Sequence, residues 1–89
     1  MEVKQNQQIT VNLLWFSVLA EHRGKRTESV TLPSGSTAGE LVEHLAREMS
    51  IIRDFRSYLR VAVNQAYVDE SVSLHNDDEV ALITPVSGG

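Results

Sequence analysis

The sequence predicts an α+β domain, a mixed sheet with one main helix packed across one face. Three observations lead there. Residues 8–16, 27–32 and 79–84 are rich in β-branched and other apolar side chains with period-two patterning. Residues 37–49 carry apolar positions at helical spacing behind a start signal. Between that helix and the last apolar run, residues 59–68 read as two short strands around a tight turn. Strands gathered around one main helix in a small chain give a two-layer architecture.

Each element has its own warrant. In residues 8–16, Ile9, Val11, Leu13 and Trp15 share one parity and Thr10, Asn12, Leu14 and Phe16 the other. The second set turns apolar only at its end, so Leu14 and Phe16 are expected to form an apolar patch on an otherwise wet face. A loop through His22, Arg23 and Gly24 leads to residues 27–32, where Thr27, Ser29 and Thr31 alternate with Glu28, Val30 and Leu32 as in an antiparallel partner strand. Pro33-Ser34-Gly35 then ends it. Thr37 with Glu40 three residues on fits a capping box, and Leu41, Val42, Leu45 and Met49 follow on one helical face. Residues 50–58 offer a short second turn of helix carrying Ile51, Ile52, Phe55 and Tyr58. Residues 59–63 resume a strand, Asn64-Gln65 suits a tight turn, residues 66–68 return, and residues 79–84 form the last strand. There Val80 and Leu82 alternate with Ala81 and Ile83, so only one pair can face the helix, and the pattern leaves open which. This succession is the order of a ubiquitin-like β-grasp fold. It divides the chain into a flexible N-terminal extension over residues 1–8, a domain over 9–84 and an extended tail over 85–89.

Composition removes several function classes. The 89 residues carry 12 acidic and 8 basic side chains for a net charge of -4, which argues against nucleic acid, whose binding rests on clustered Lys and Arg. The one basic cluster, Arg23-Gly24-Lys25-Arg26, reads as a solvated turn. Cysteine is absent, so no disulfide, thiolate metal site or internal sulfur-carrying thiol is expected. His22, His44 and His75 fall in separate elements without metal-ligand spacing. Glu40, Glu43, Asp69, Glu70, Asp77, Asp78 and Glu79 read as helix and turn solvation, with Asp78 and Glu79 also suited to steering a basic partner. Neither phosphate-binding glycine motif occurs, so no bound nucleotide is expected. The first residues are polar and no run approaches the roughly 18 apolar residues of a membrane span. The expected location is the cytoplasm.

The sequence ends Val86-Ser87-Gly88-Gly89, directly after the strand-like run and Pro85. Two glycines can thread a narrow site closed to residues with a Cβ, so Gly88-Gly89 reads as a terminus that presents the Gly89 carboxylate to another protein's active site. A carboxylate is a poor electrophile. It reacts only after activation gives it a leaving group, and with no nucleotide site of its own the chain is expected to be activated in trans.

Four segments carry a resemblance to a known family: Phe16-Ser17-Val18-Leu19-Ala20-Glu21, Val30-Thr31-Leu32-Pro33, Ala62-Val63-Asn64-Gln65-Ala66-Tyr67-Val68, and residues 78–89 ending Pro-Val-Ser-Gly-Gly. In order and spacing the chain resembles the small, sulfur-carrying subunits of molybdopterin synthase, ubiquitin-like proteins ending in Gly-Gly. The resemblance implies that Gly89, behind Gly88, is adenylated by an enzyme similar to ubiquitin activators using ATP. A persulfide donor then converts it to a thiocarboxylate. The thiocarboxylate enters the large synthase subunit and donates sulfur to cyclic pyranopterin monophosphate, building a dithiolene. It further implies a non-catalytic subunit in an assembly of two small and two large chains, with no cofactor or metal bound to the small one.

The same resemblance assigns Phe16 and Ile83 to contact with the large subunit and Pro85, Val86 and Ser87 to guiding the tail. On strand pattern alone, Phe16 and Ile83 fit ordinary core positions equally well. Three departures from the family pattern stand out. Ala20 replaces a common Arg, Thr84 replaces a proline and so keeps an N–H that can lengthen the last strand, and Asp77 replaces a turn glycine. Other readings stay open, namely a carrier for thiazole, tRNA-thiolation or tungstopterin chemistry, a ubiquitin-like protein modifier, or an interaction module.

Overall fold

Alternation of apolar and polar side chains buries every second residue of β1 (Gln8–Leu14), with Ile9, Val11 and Leu13 turned inward. The structure is a computed structural model that describes residues 7–84. The remaining elements follow as α1 (Ser17–Arg23), β2 (Thr27–Pro33), α2 (Ala38–Glu48), α3 (Ser50–Phe55), β3 (Arg60–Val63), β4 (Ala66–Val68) and β5 (Glu79–Ile83). They form a five-stranded sheet in the order β2-β1-β5-β3-β4. β1 pairs parallel with β5 and antiparallel with β2, while β3 runs antiparallel to both β5 and β4. This is the mixed sheet of the β-grasp, with helices across one face.

The core lies between that face and α2. Leu41, Val42 and Leu45 are fully buried against Val11, Leu13, Val80 and Leu82. The parity left open by the sequence is thereby decided: Val80 and Leu82 face the helices. Ala81 and Ile83 stand on the outer face.

The start of α2 follows the expected capping box. The Glu40 N–H donates to Thr37 Oγ1 over 3.1 Å and the Thr37 N–H to Glu40 Oε1 over 2.9 Å. Two further helix-start donors go elsewhere, Ala38 N–H to the Val72 carbonyl and Gly39 N–H to the Glu70 carbonyl, each over 2.9 Å. The second contact favours glycine, because a Cβ on Gly39 would crowd Glu70, lying 3.1 Å from its Cβ and 3.2 Å from its carbonyl oxygen. Glu70 cannot yield easily, since Arg56 grips both its carboxylate oxygens at 2.7 and 2.9 Å. Overpacking of this kind costs about 1–3 kcal/mol, more than alanine recovers in helix propensity in a first turn. Gly39→Ala is therefore expected to lower the melting midpoint by about 5 °C, read by thermal unfolding.

Three expectations are corrected. The first strand stops at Leu14 and not at Phe16, because Ser17 takes a left-handed φ of 50° and the chain turns into a helix. The segment expected as loop around residues 22–24 includes the end of that helix, α1, which buries Leu19 and closes on Gly24 at φ 81° with its N–H donated to the Ala20 carbonyl. Arg23 is accordingly not part of a solvated turn. The last strand gains nothing from the Thr84 N–H and ends at Ile83, which is opposite Arg60. Beyond Arg60 the Leu59 N–H already donates to the Phe55 carbonyl, and β1 ends opposite Ala81, so among the described residues no strand continues beside Thr84. Other positions match expectation: Asn64 and Gln65 turn at φ 52° and 74°, and Asp77 adopts φ 70° in place of a glycine, at a cost of about 1 kcal/mol.

Candidate functional site on the outer sheet face

Strand registers define what the outer face presents. Leu14 of β1 aligns with Ala81 of β5, Ala81 with Ala62 of β3, and Ala62 with Tyr67 of β4. Side chains of aligned neighbours share a face, so these four form one apolar row. Arg60 and Ile83 form the next row toward the end of β5. Phe16 continues the outward parity of Leu14 in extended conformation, φ -130° and ψ 154°, before the chain turns. It is 47 % exposed, while its neighbour Trp15 on the opposite parity is 2 % exposed.

Phe16 is turned outward by what happens beneath it. Trp15 enters the core and donates its indole N–H to Glu28 Oε1 over 3.1 Å. Arg23, from the last turn of α1, binds both oxygens of Glu28 at 2.7 Å and reaches Glu48 at 3.3 Å. Its guanidinium also lies 5.9 Å from the Trp15 ring centroid. α1 is thus latched to the sheet edge, and the alternation of the chain leaves Phe16 outside. The Arg23 guanidinium holds the Glu28 carboxyl down at about 2, with the Trp15 donor adding to the shift. A carboxylate depressed in the folded state contributes stability above its unfolded value near 4.5 and loses it as pH falls toward 2. Acid titration by circular dichroism is expected to show a stability loss across that window. Glu28→Gln should remove this pH-dependent component.

Beside Phe16 lies a groove of about 440 Å³, walled by Ala20 and Gly24 of the α1 turn and by Lys25 and Arg26. Ala20 offers it no polar group. The two sequence-predicted contacts, Phe16 and Ile83, therefore come out at the same end of one face, and Ile83 is the last paired residue before the chain continues. Pro85, Val86, Ser87, Gly88 and Gly89 lie outside the described residues, as do residues 1–6. Arg60, Tyr67, Ala62 and Ala81 share the face and were not singled out from the sequence. Strand parity alone, once Ile83 is put outside, is the signal that finds them. Among the described residues no group of acidic or histidine side chains is arranged to hold a metal, and no helix is long and apolar enough to cross a membrane.

Comparison with known proteins agrees with this architecture. The molybdopterin synthase sulfur carrier subunit of Homo sapiens is 34% identical over 82 residues, covering 89% of this chain and 93% of that protein. The small archaeal modifier protein 1 of Haloferax volcanii has the same fold, with a TM-score of 0.74 and 26% identity over 90% of this chain and 99% of that one. A complex of subunits 1 and 2 of molybdopterin-converting factor from Helicobacter pylori contains a chain of this fold at a TM-score of 0.61 and 21% identity, covering 91% of this chain and 100% of that one. The model of the ThiS family matches residues 13–89. With its β-grasp sheet and this match from β1 through the final glycine, the chain belongs to the ThiS family, among relatives of the molybdopterin synthase sulfur carrier subunit type.

Proposed function

We propose that this chain is the sulfur-carrier small subunit of molybdopterin synthase, working through the carboxylate of Gly89. The observation that carries the reading is the likeness to the human sulfur carrier subunit, 34% identical across 89% of this chain. A carboxylate oxygen of Gly89 attacks the α-phosphate of ATP in an adenylating enzyme, releasing pyrophosphate. The resulting acyl-adenylate has a good leaving group. The terminal sulfur of a donor persulfide attacks the carbonyl carbon, AMP departs, and a thiol reductant frees the thiocarboxylate. Having no cysteine, the chain has no thiol of its own for that sulfur.

Delivery then depends on docking. The outer face, with Phe16 and Ile83 at its tail end, binds the large subunit, and Pro85, Val86 and Ser87 lead the thiocarboxylate into its active site. Enclosure there excludes water from the thiocarboxylate and orients its sulfur on cyclic pyranopterin monophosphate. Two such transfers make the molybdopterin dithiolene. The carrier itself binds no cofactor, and ATP is consumed by its activating partner.

A second reading has a specific observation behind it, the likeness to an archaeal modifier protein at 26% identity. As a modifier the activated Gly89 would meet a lysine amine and form an isopeptide bond. Reconstitution with purified activating enzyme, sulfur donor, large subunit and pterin substrate decides between them. Dithiolene formation supports the carrier reading. Lysine-linked adducts on other proteins without dithiolene support the modifier.

A further inference from the structure

The outer face carries Glu79 at one end of its strands and Arg60 at the other. At the start of β5 the registers align Glu79 with Asn12, and Asn12 with Ser29. The middle row is Tyr67, Ala62, Ala81 and Leu14. Two directly paired alanines, Ala81 only 8 % exposed, make its centre small in side chain, and Tyr67, 63 % exposed, stands on the β4 side. The row nearest the tail holds Arg60 and Ile83. Lys25, Arg26 and Glu21 flank Phe16 at the same end.

Arg60 differs from Arg23 and Arg56, and from Arg53, which donates to the Ala46 carbonyl over 2.6 Å. Arg23 and Arg56 each bind two carboxylates, whereas the described contact of Arg60 is the ring of Tyr67, 5.0 Å from the guanidinium carbon to the centroid. Stacking on an aromatic face orients a guanidinium while leaving its in-plane N–H donors open to a planar anion. An oriented cation beside a row of small apolar side chains is an arrangement for a partner with a carboxylate next to an apolar side chain.

We propose that Arg60, steadied by Tyr67, receives a carboxylate of the large subunit while an apolar side chain of that subunit sits over Ala62 and Ala81. This rests on the carrier reading and deepens it by naming the chemistry of the partner surface. Charge complementarity supports it. In a chain of net charge -4, the tail end of this face carries Arg60 on one side, free of any described carboxylate contact, and on the other Lys25 and Arg26 together with Glu21, with Lys25 4.0 Å from Glu28. A partner surface with an acidic rim around an apolar centre is attracted to that end and repelled by Glu79 at the opposite one. The polarity sets the docking direction along the strands.

The test is calorimetric titration of the complete chain into the purified large subunit at low and high salt. Arg60→Leu keeps an apolar strand residue and removes the charge, and it is expected to weaken binding about ten- to a hundredfold with a shallower salt dependence. Arg60→Gln should behave alike and guards against a packing artefact. Arg60→Lys should recover only part of the loss, since a lysine lacks the planar fork. Arg60→Leu and Arg60→Gln binding like the unmodified chain, with unchanged salt dependence, would overturn the proposal. If Phe16→Ala weakens binding in that same experiment, the carrier reading survives and this inference alone fails. If the unmodified chain does not bind the large subunit, both fail.

Discussion

Deletion of Gly89 is expected to reduce sulfur transfer to background while leaving the domain as stable as before. The shortened chain would end on Gly88, whose carboxylate falls one residue short, about 3.5 Å in an extended chain. A misplacement of only 1 Å at a reacting atom can cost about a hundredfold in rate, so the loss should exceed that. Stability should hold because the last residue paired in the sheet is Ile83, and nothing in the described core lies beyond Leu82. Single-turnover transfer to the pterin, read beside a thermal melt, checks both halves. Transfer at the ordinary rate would remove Gly89 from the mechanism.

Phe16→Ala carries the second large effect, on recognition. An aromatic side chain 47 % exposed in the free chain has substantial apolar area left to bury against a partner. Central aromatic anchors in interfaces contribute about 2 kcal/mol or more, which corresponds to roughly a thirtyfold weaker dissociation constant. The fold should tolerate the change, because Trp15, Leu19 and Leu13 fill the core beneath and the Glu28 contacts to Trp15 and Arg23 do not involve Phe16. Affinity for the large subunit and the melting midpoint separate the two effects. A core role for Phe16 would instead show as a fall in melting temperature.

Elements with strong local signals were legible in the sequence. The capping box of Thr37 and Glu40, the turn at Asn64 and Gln65, and the alternation of β1 and β2 each rest on contacts within a few residues or on a simple period. The short helix α1 was not legible, because its seven residues lack a side-chain cap and its apolar Val18, Leu19 and Ala20 extend the apolar run of β1. The usable signal was at its other end, where His22 and Arg23 in the last turn precede a left-handed Gly24. The role of Gly39 was not legible either, since the part of Glu70 that would crowd a side chain there comes from a distant segment.

The site divides in the same way. The apolar patch at Leu14 and Phe16 follows from parity within one strand, and the structure leaves Leu14 half-buried and Phe16 exposed. Ile83 could not be assigned to a face, because both parities of β5 are apolar and only packing against α2 selects Val80 and Leu82 for the interior. Arg60 and Tyr67 become neighbours through the β3–β4 pairing. The sequence by itself shows them only as two residues on either side of a turn.

The central claim is that Gly89 carries sulfur, and the most direct measurement is the intact mass of the chain after incubation with ATP, a matched activating enzyme and a sulfur donor. Replacement of a carboxylate oxygen by sulfur through a displaced acyl-adenylate predicts a gain of about 16 Da, localised to Gly89 by fragmentation. An unchanged mass, with an activating enzyme and donor that convert another carrier in parallel, would contradict the account and leave a β-grasp interaction module.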